Sequence, residues 1–274
     1  MDKNERELWG SAVGWRNSLK ETFRYPGLNV VQSTLGGCSD FKIPKIEVND
    51  LPTYQPKTMI FHASHLVNMA SDNNRARRIL QSTLTRCSQL VEMMPNVDIG
   101  CVFHVGRGPG ANLERVVEQI LSLNIPKGVT VFAENAAGQG AELGRNIEEL
   151  QELFETLPRK IKLCIDTQHS FGAGICEWST EDEVADFIEE IEKVMPYRLR
   201  LFHLNDSKVA FKTRVDRHED LFQGYIWKEE EKRIGLLTLL ETSMYNNIPM
   251  ILETPNSESD LDVLSKFWRD NKRY

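Results

Sequence analysis

Short apolar, β-branched runs recur along this chain, each followed by polar residues and then by a stretch with helical spacing. Eight such runs stand out, at residues 8–13, 28–33, 58–62, 99–104, 129–135, 161–166, 199–206 and 249–253. Between most of them lie segments with apolar residues three and four apart, such as RRILQSTLTRCSQLVEMM, LERVVEQILSL and EVADFIEEIEKVM. Continuous apolar strands alternating with helices predict a parallel sheet covered on both faces. Eight units predict a closed (β/α)8 TIM barrel rather than an open doubly wound sheet. No GxGxxG follows the first run, which argues against dinucleotide binding. No Pro- or Ser-rich linker divides the chain, so a single barrel domain over residues 1–274 is expected. The stretch 36–57 is long for a strand-to-helix connection and is a candidate binding loop.

What terminates the runs carries the chemistry. The third to eighth runs reach, in order, His62, His104, Glu134, Asp166, His203 and Glu253. All strand C-termini of such a barrel open on one face, so these six side chains would converge despite their separation in sequence. Taken singly, a histidine after an apolar run is usually just hydrogen-bonded. A strand-end Asp often caps the next helix. Together, so many buried carboxylates are costly unless cations neutralise them. His169 in DTQH, with Asp216 and His218 in DRH, enlarges the set to nine, including five of the six histidines. Nitrogen and oxygen donors without thiolate suit Zn or Mn better than Ca or Mg, and nine donors exceed what one tetrahedral ion takes.

Composition narrows the picture further. A length of 274 residues is enough for one barrel, which typically needs roughly 250. The net charge of −7 argues against a broadly basic nucleic-acid binder, although bound divalent ions would add local positive charge. No apolar stretch reaches the roughly 20 residues of a membrane span, and the start MDKNERELWG lacks an apolar signal region. Five scattered cysteines, Cys38, Cys87, Cys101, Cys164 and Cys176, fit buried thiols in a reducing compartment, cytoplasm or nucleus. A monomer without membrane association is expected.

The blocks HASHLVNMAS, AENAAGQGAELG, CIDTQHSFGAG, FHLNDSK, RVDRHE and ILETP resemble the signatures of the endonuclease IV family of apurinic/apyrimidinic (AP) endonucleases, in the family's order. The likeness runs from about Met59 to Pro255 and is weak before Ile60. It implies three zinc ions, with Mn2+ an option at one position. The first would be held by His62, His104 and Glu134. Glu134 would bridge to the second, shared with Asp166, His203 and Glu253. His169, Asp216 and His218 would hold the third. It also implies hydrolysis of the phosphodiester 5′ to an abasic site in double-stranded DNA, as in base excision repair, with Glu253 and Glu134 as the catalytic carboxylates. The products would be a 3′-hydroxyl and a 5′-deoxyribose phosphate.

Arg107, Lys208, Arg214 and Arg217 are candidate phosphate contacts, and Asn205 and Ser207 candidate hydrogen-bonding supports for the ligands. Three positions depart from the family. His65 replaces a DNA-probing Tyr and is kept as a DNA-binding candidate outside the metal set. Phe41, in TLGGCSDFK, is the candidate wedge into the base stack. Leu221-Phe222-Gln223-Gly224 replaces a glycine-rich turn and resembles viral members, for which virion or host cytoplasm would be the location. Two rival functions share these features: a metal-dependent sugar isomerase or epimerase of the xylose-isomerase-like kind, and a non-catalytic binder of abasic DNA.

Overall fold

The computed structural model describes residues 8–14, 18–22, 28–36 and 43–273. Phe41 and Cys38 lie outside the described residues. Eight strands are β1 (Trp9–Ala12), β2 (Val30–Ser33), β3 (Thr58–His62), β4 (Asp98–His104), β5 (Val129–Glu134), β6 (Ile161–Asp166), β7 (Leu199–His203) and β10 (Met250–Leu252). They run parallel and close into a barrel in the order β1-β10-β7-β6-β5-β4-β3-β2. Each lies within or one residue beyond a run read from the sequence. The strands read as unbroken apolar runs because the sheet is buried on both faces.

The outer layer is less regular than an ideal barrel. Long helices α2 (Arg75–Met93), α3 (Leu113–Leu121), α4 (Ile147–Thr156), α6 (Glu181–Val194), α7 (Arg233–Asn246) and α8 (Ser257–Asn271) cover the later strands. Asn112, Asn146 and Thr180 cap α3, α4 and α6 by accepting backbone N–H bonds from the third residue on. Between β1 and β2 the described chain has only α1 (Leu19–Thr22). The sequence there lacks the three-and-four spacing that fills the other connections.

Inside the barrel, one residue from each of seven strands forms a layer: Val30, Ile60, Val102, Phe132, Cys164, Leu201 and Ile251. Side chains alternate in and out along a strand, so the residue two positions on points inward again. Those residues are Gln32, His62, His104, Glu134, Asp166, His203 and Glu253. The pleat therefore raises one polar side chain above each apolar one, at the C-terminal mouth. Phe132 and its neighbours form the floor on which the site rests.

The connection after β7 supplies the remaining donors. A two-stranded antiparallel ribbon, β8 (Asp206–Ser207) with β9 (His218–Glu219), pairs Ser207 with His218 and Asp206 with Glu219. Asp206 is buried and receives backbone N–H groups of Ser207, Phe222, Gly224 and Ile226, which ties the following loop to the ribbon. Burial pushes its carboxyl up to about 6 despite those bonds.

Candidate metal centre

Glu134 sits at the centre of the mouth, 1% exposed. Its Oε2 lies 3.2 Å from His62 Nε2 and 3.4 Å from His104 Nδ1. Its Oε1 lies 2.8 Å from His203 Nδ1. The same His203 nitrogen is 3.0 Å from Glu253 Oε2 and 4.0 Å from Asp166 Oδ2. One carboxylate thus turns its two oxygens toward two separate groups of donors.

The third group stands beside them. His169 belongs to the short helix α5 (Thr167–Ala173), which Asp166 caps by accepting the His169 backbone N–H at 2.9 Å. Asp166 thus caps α5 through one oxygen while the other faces the site. His169 Nε2 is 3.5 Å from Asp216 Oδ2, and His218 Nε2 is 3.4 Å from Asp216 Oδ1. His218 Nε2 also lies 3.6 Å from Asp166 Oδ2. Ligand atoms of Asp166, His169 and His218 gather as closely as those of the other two groups. The expectation gave Asp166 to the second ion alone. Its Oδ2 stands 4.0 Å from His203 Nδ1 and 3.6 Å from His218 Nε2, between the second and third groups.

These groups suit metal ions on several physical counts. Two donors on one tetrahedral zinc, bonded at roughly 2.0–2.1 Å, lie about 3.3 Å apart, and the donor pairs here, 2.8 to 4.0 Å apart, bracket that spacing. His218 Nε2 is buried with no hydrogen-bond partner, a polar atom aimed into the third group. Three rings are turned by backbone carbonyls: His62 Nδ1 meets Ala63 O at 2.8 Å, His169 Nδ1 meets Asn135 O at 3.0 Å, and His218 Nδ1 meets Glu253 O at 3.3 Å. A carbonyl only accepts, so each ring carries a proton on Nδ1 and offers Nε2 to the site, as a ligand once any proton there is displaced.

The electrostatics show how tightly these charges interact. Burial pushes the Glu134 carboxyl up, but His203, His104 and His62 outweigh it and hold the group well below the usual range. Burial works against a charge on His62, His169 and His203, yet neighbouring acidic groups raise all three. His104 is the exception: burial outweighs the attraction of Glu134 and lowers it to about 3.

Cys164 lies under the site, within reach of Glu134 and His203. Burial lifts its thiol to about 12, so it stays neutral and behaves as the small core residue expected from its apolar run. All four described cysteines are free.

Around the ligands, Asn205 is fully buried and donates to Asp166 Oδ2 at 2.7 Å. Its Oδ1 accepts the Glu253 backbone N–H at 2.8 Å. Ser207 differs from expectation. Its hydroxyl donates to Val209 O and accepts from Gln168 Nε2, touching no ligand side chain, because the ribbon turns it away. Sequence reasoning missed three amides. Gln32 bridges His203 and Glu253, Gln139 Oε1 accepts the Asp216 N–H at 3.0 Å, and Gln168 Nε2 donates to Val215 O at 3.0 Å.

The mouth opens into a cavity of about 300 Å³ lined by Gln32, His62, His65, His104, Glu134, His169, Asp216, His218 and Glu253 among others. An adjoining cavity of about 220 Å³ reaches Arg107 and Glu142. His65 is exposed, its ring 5.9 Å from that of His104, and it belongs to none of the ligand groups. Arg107 and Lys208 are exposed and make only loose ion pairs, 3.9 Å from Glu142 and from Glu219. Arg214 and Arg217 are exposed on the loop that carries Asp216. Among the described residues no helix is long and apolar enough to cross a membrane.

The xylose isomerase-like TIM barrel family matches residues 54–271 of the chain. The probable endonuclease 4 of Aquifex aeolicus (strain VF5) is 32% identical, over 96% of this chain and 99% of that protein. Endonuclease IV from Thermus thermophilus superposes with a TM-score of 0.75 at 22% identity, covering 96% of this chain and 100% of that one. The crystal structure of AsfvAP:AG matches at a TM-score of 0.75 and 20% identity, over 96% of this chain and 97% of that one.

Proposed function

The chain belongs to the endonuclease IV family of xylose isomerase-like TIM barrels, and on that premise we propose that it is an AP endonuclease. It would hydrolyse the phosphodiester 5′ to an abasic site in double-stranded DNA, leaving a 3′-hydroxyl and a 5′-deoxyribose phosphate. The observation that supports this reading is the gathering of the nine donors into adjoining groups at one mouth, with Glu134 and Asp166 standing between them. A sugar isomerase on the same barrel typically needs one or two ions, so a third donor group favours the nuclease.

Three zinc ions would be held by His62, His104 and Glu134, by Glu134, Asp166, His203 and Glu253, and by His169, Asp216 and His218. When bound, such ions supply Lewis acidity, lowering the pKa of water and offsetting charge on a phosphodiester. The protein's own groups do the rest. Glu253, whose side chain is 17% exposed, is reachable by solvent and would accept the proton of the attacking water. Attack forms a new P–O bond and expels the upstream 3′ oxygen, which leaves as the 3′-hydroxyl after taking a proton. Asn205 keeps Glu253 and Asp166 in mutual register through its two amide ends. Arg107, Lys208, Arg214, Arg217 and His65 would supply the DNA contacts, and phosphate contacts fix position without reading sequence.

A duplex carrying one tetrahydrofuran abasic analogue tests this reading, because the analogue blocks β-elimination and leaves hydrolysis as the only route. Zinc-loaded protein is expected to nick it 5′ to the lesion and to leave an end that a polymerase extends. Tight binding without any nick would overturn the enzymatic reading in favour of a silent binder. Lys208→Ala is expected to raise KM with little change in kcat. It should also flatten the plot of log binding constant against log salt by about one unit, measured by fluorescence anisotropy.

A further inference from the structure

Gln32 occupies the β2 place in the inward-facing layer that otherwise holds the ligands, and it is 1% exposed. Its two amide ends make different contacts. Nε2 donates to Glu253 Oε1 at 2.5 Å, and Oε1 lies 2.9 Å from His203 Nε2. His203 is therefore reversed relative to His62, His169 and His218. Its Nδ1 faces Glu134 and Glu253, and its outward nitrogen meets a side chain instead of a backbone carbonyl.

That difference matters because an amide, unlike a carbonyl, could present either a donor or an acceptor to the ring. The choice is made by Glu253. An ionised carboxylate only accepts, so the Gln32 NH2 must turn to it in a short, charge-assisted bond. The Gln32 carbonyl is then forced toward His203, whose Nε2 must carry the proton. The Nδ1 lone pair is left pointing among the carboxylates. We propose that Gln32 is a positioning residue that sets the His203 tautomer and the Glu253 orientation together, so that both present ligand atoms to the same ion. This rests on the reading that His203 and Glu253 hold a metal.

Gln32→Met keeps the side-chain length and removes both polar ends. Its expected effect is a 10- to 100-fold loss of zinc affinity for one of the three ions, as for other groups that orient metal ligands. The loss is read by competition with a chromogenic chelator. The other two ions should remain bound with wild-type affinity. On the abasic duplex kcat should fall by a similar factor while KM stays within twofold, because Gln32 is buried and its polar ends touch His203 and Glu253. Unchanged affinity for all three ions would overturn the proposal.

A second readout needs no variant. Long-range 1H–15N spectra of the zinc-loaded wild type are expected to show His203 with its proton on Nε2, and a proton on Nδ1 would overturn the proposal. Neither zinc competition nor the ring spectra depend on DNA cleavage. If loaded protein never nicks the analogue, the proposed activity fails, while the role of Gln32 is still decided by these two measurements.

Discussion

Stripping the protein with a strong chelator is expected to abolish nicking of the abasic duplex and to lower its melting temperature by on the order of 10 °C or more, both restored by zinc. The size follows from linkage. An ion present at 1,000 times its dissociation constant stabilises the folded chain by about 4 kcal/mol, and three such sites are proposed. Without cations, Glu134 and Asp166 remain buried close together, compensated by the Asn205 amide, the His169 backbone N–H and protons on the surrounding rings.

Those protons give the metal-free protein a recognisable pH profile. The folded-state values of His62, His169 and His203 are raised, so their contribution is full below about 6.5 and is lost as pH climbs through the raised values. Glu134 and Glu253 are lowered, so theirs is present above about 4.5 and is lost as pH falls. Stability of the stripped protein should peak between those limits. The zinc-loaded protein should keep gaining with pH through neutrality, because ligation must displace the ring protons. Thermal melts of both forms across pH 5 to about 9 check this, and superimposable curves would argue against metal at these residues.

Much of this centre is legible in the sequence because charge is conspicuous at the end of an apolar run. Six donors sit one pleat above an apolar residue, and a barrel gathers six strand ends without further information. His169, Asp216 and His218 were harder, since a short helix and a loop with a two-residue strand place them, and only the resemblance assigned them to one ion. Gln32 escaped because an uncharged amide in VVQS resembles any other polar strand end. Counting two residues on from Val30, as Ile60 leads to His62, would have found it. The shared position of Asp166 depends on which oxygen caps α5, and Ser207 depends on the twist of the ribbon. Neither is a property of residue type.

Glu253→Gln should separate binding from chemistry more sharply than any other single change. The amide keeps the volume and loses the charge and the basic oxygen. General-base catalysis is worth about 10² to 10⁴ in rate, so a loss of about 10³ in kcat is expected, equivalent to roughly 4 kcal/mol of barrier. The change also disturbs two neighbours. The Gln32 NH2 would face an amide able to reject it, and the ion proposed beside His203 Nδ1 would lose a carboxylate ligand. Some zinc affinity should therefore be lost as well, and zinc content must be measured on the same sample. Affinity for the uncut tetrahydrofuran duplex should stay within about threefold, since the proposed phosphate contacts are untouched. Single-turnover rates at saturating protein, with all ions confirmed in place, isolate the chemical step. A fall of less than tenfold under those conditions would remove Glu253 from the role of base and leave it as a ligand only.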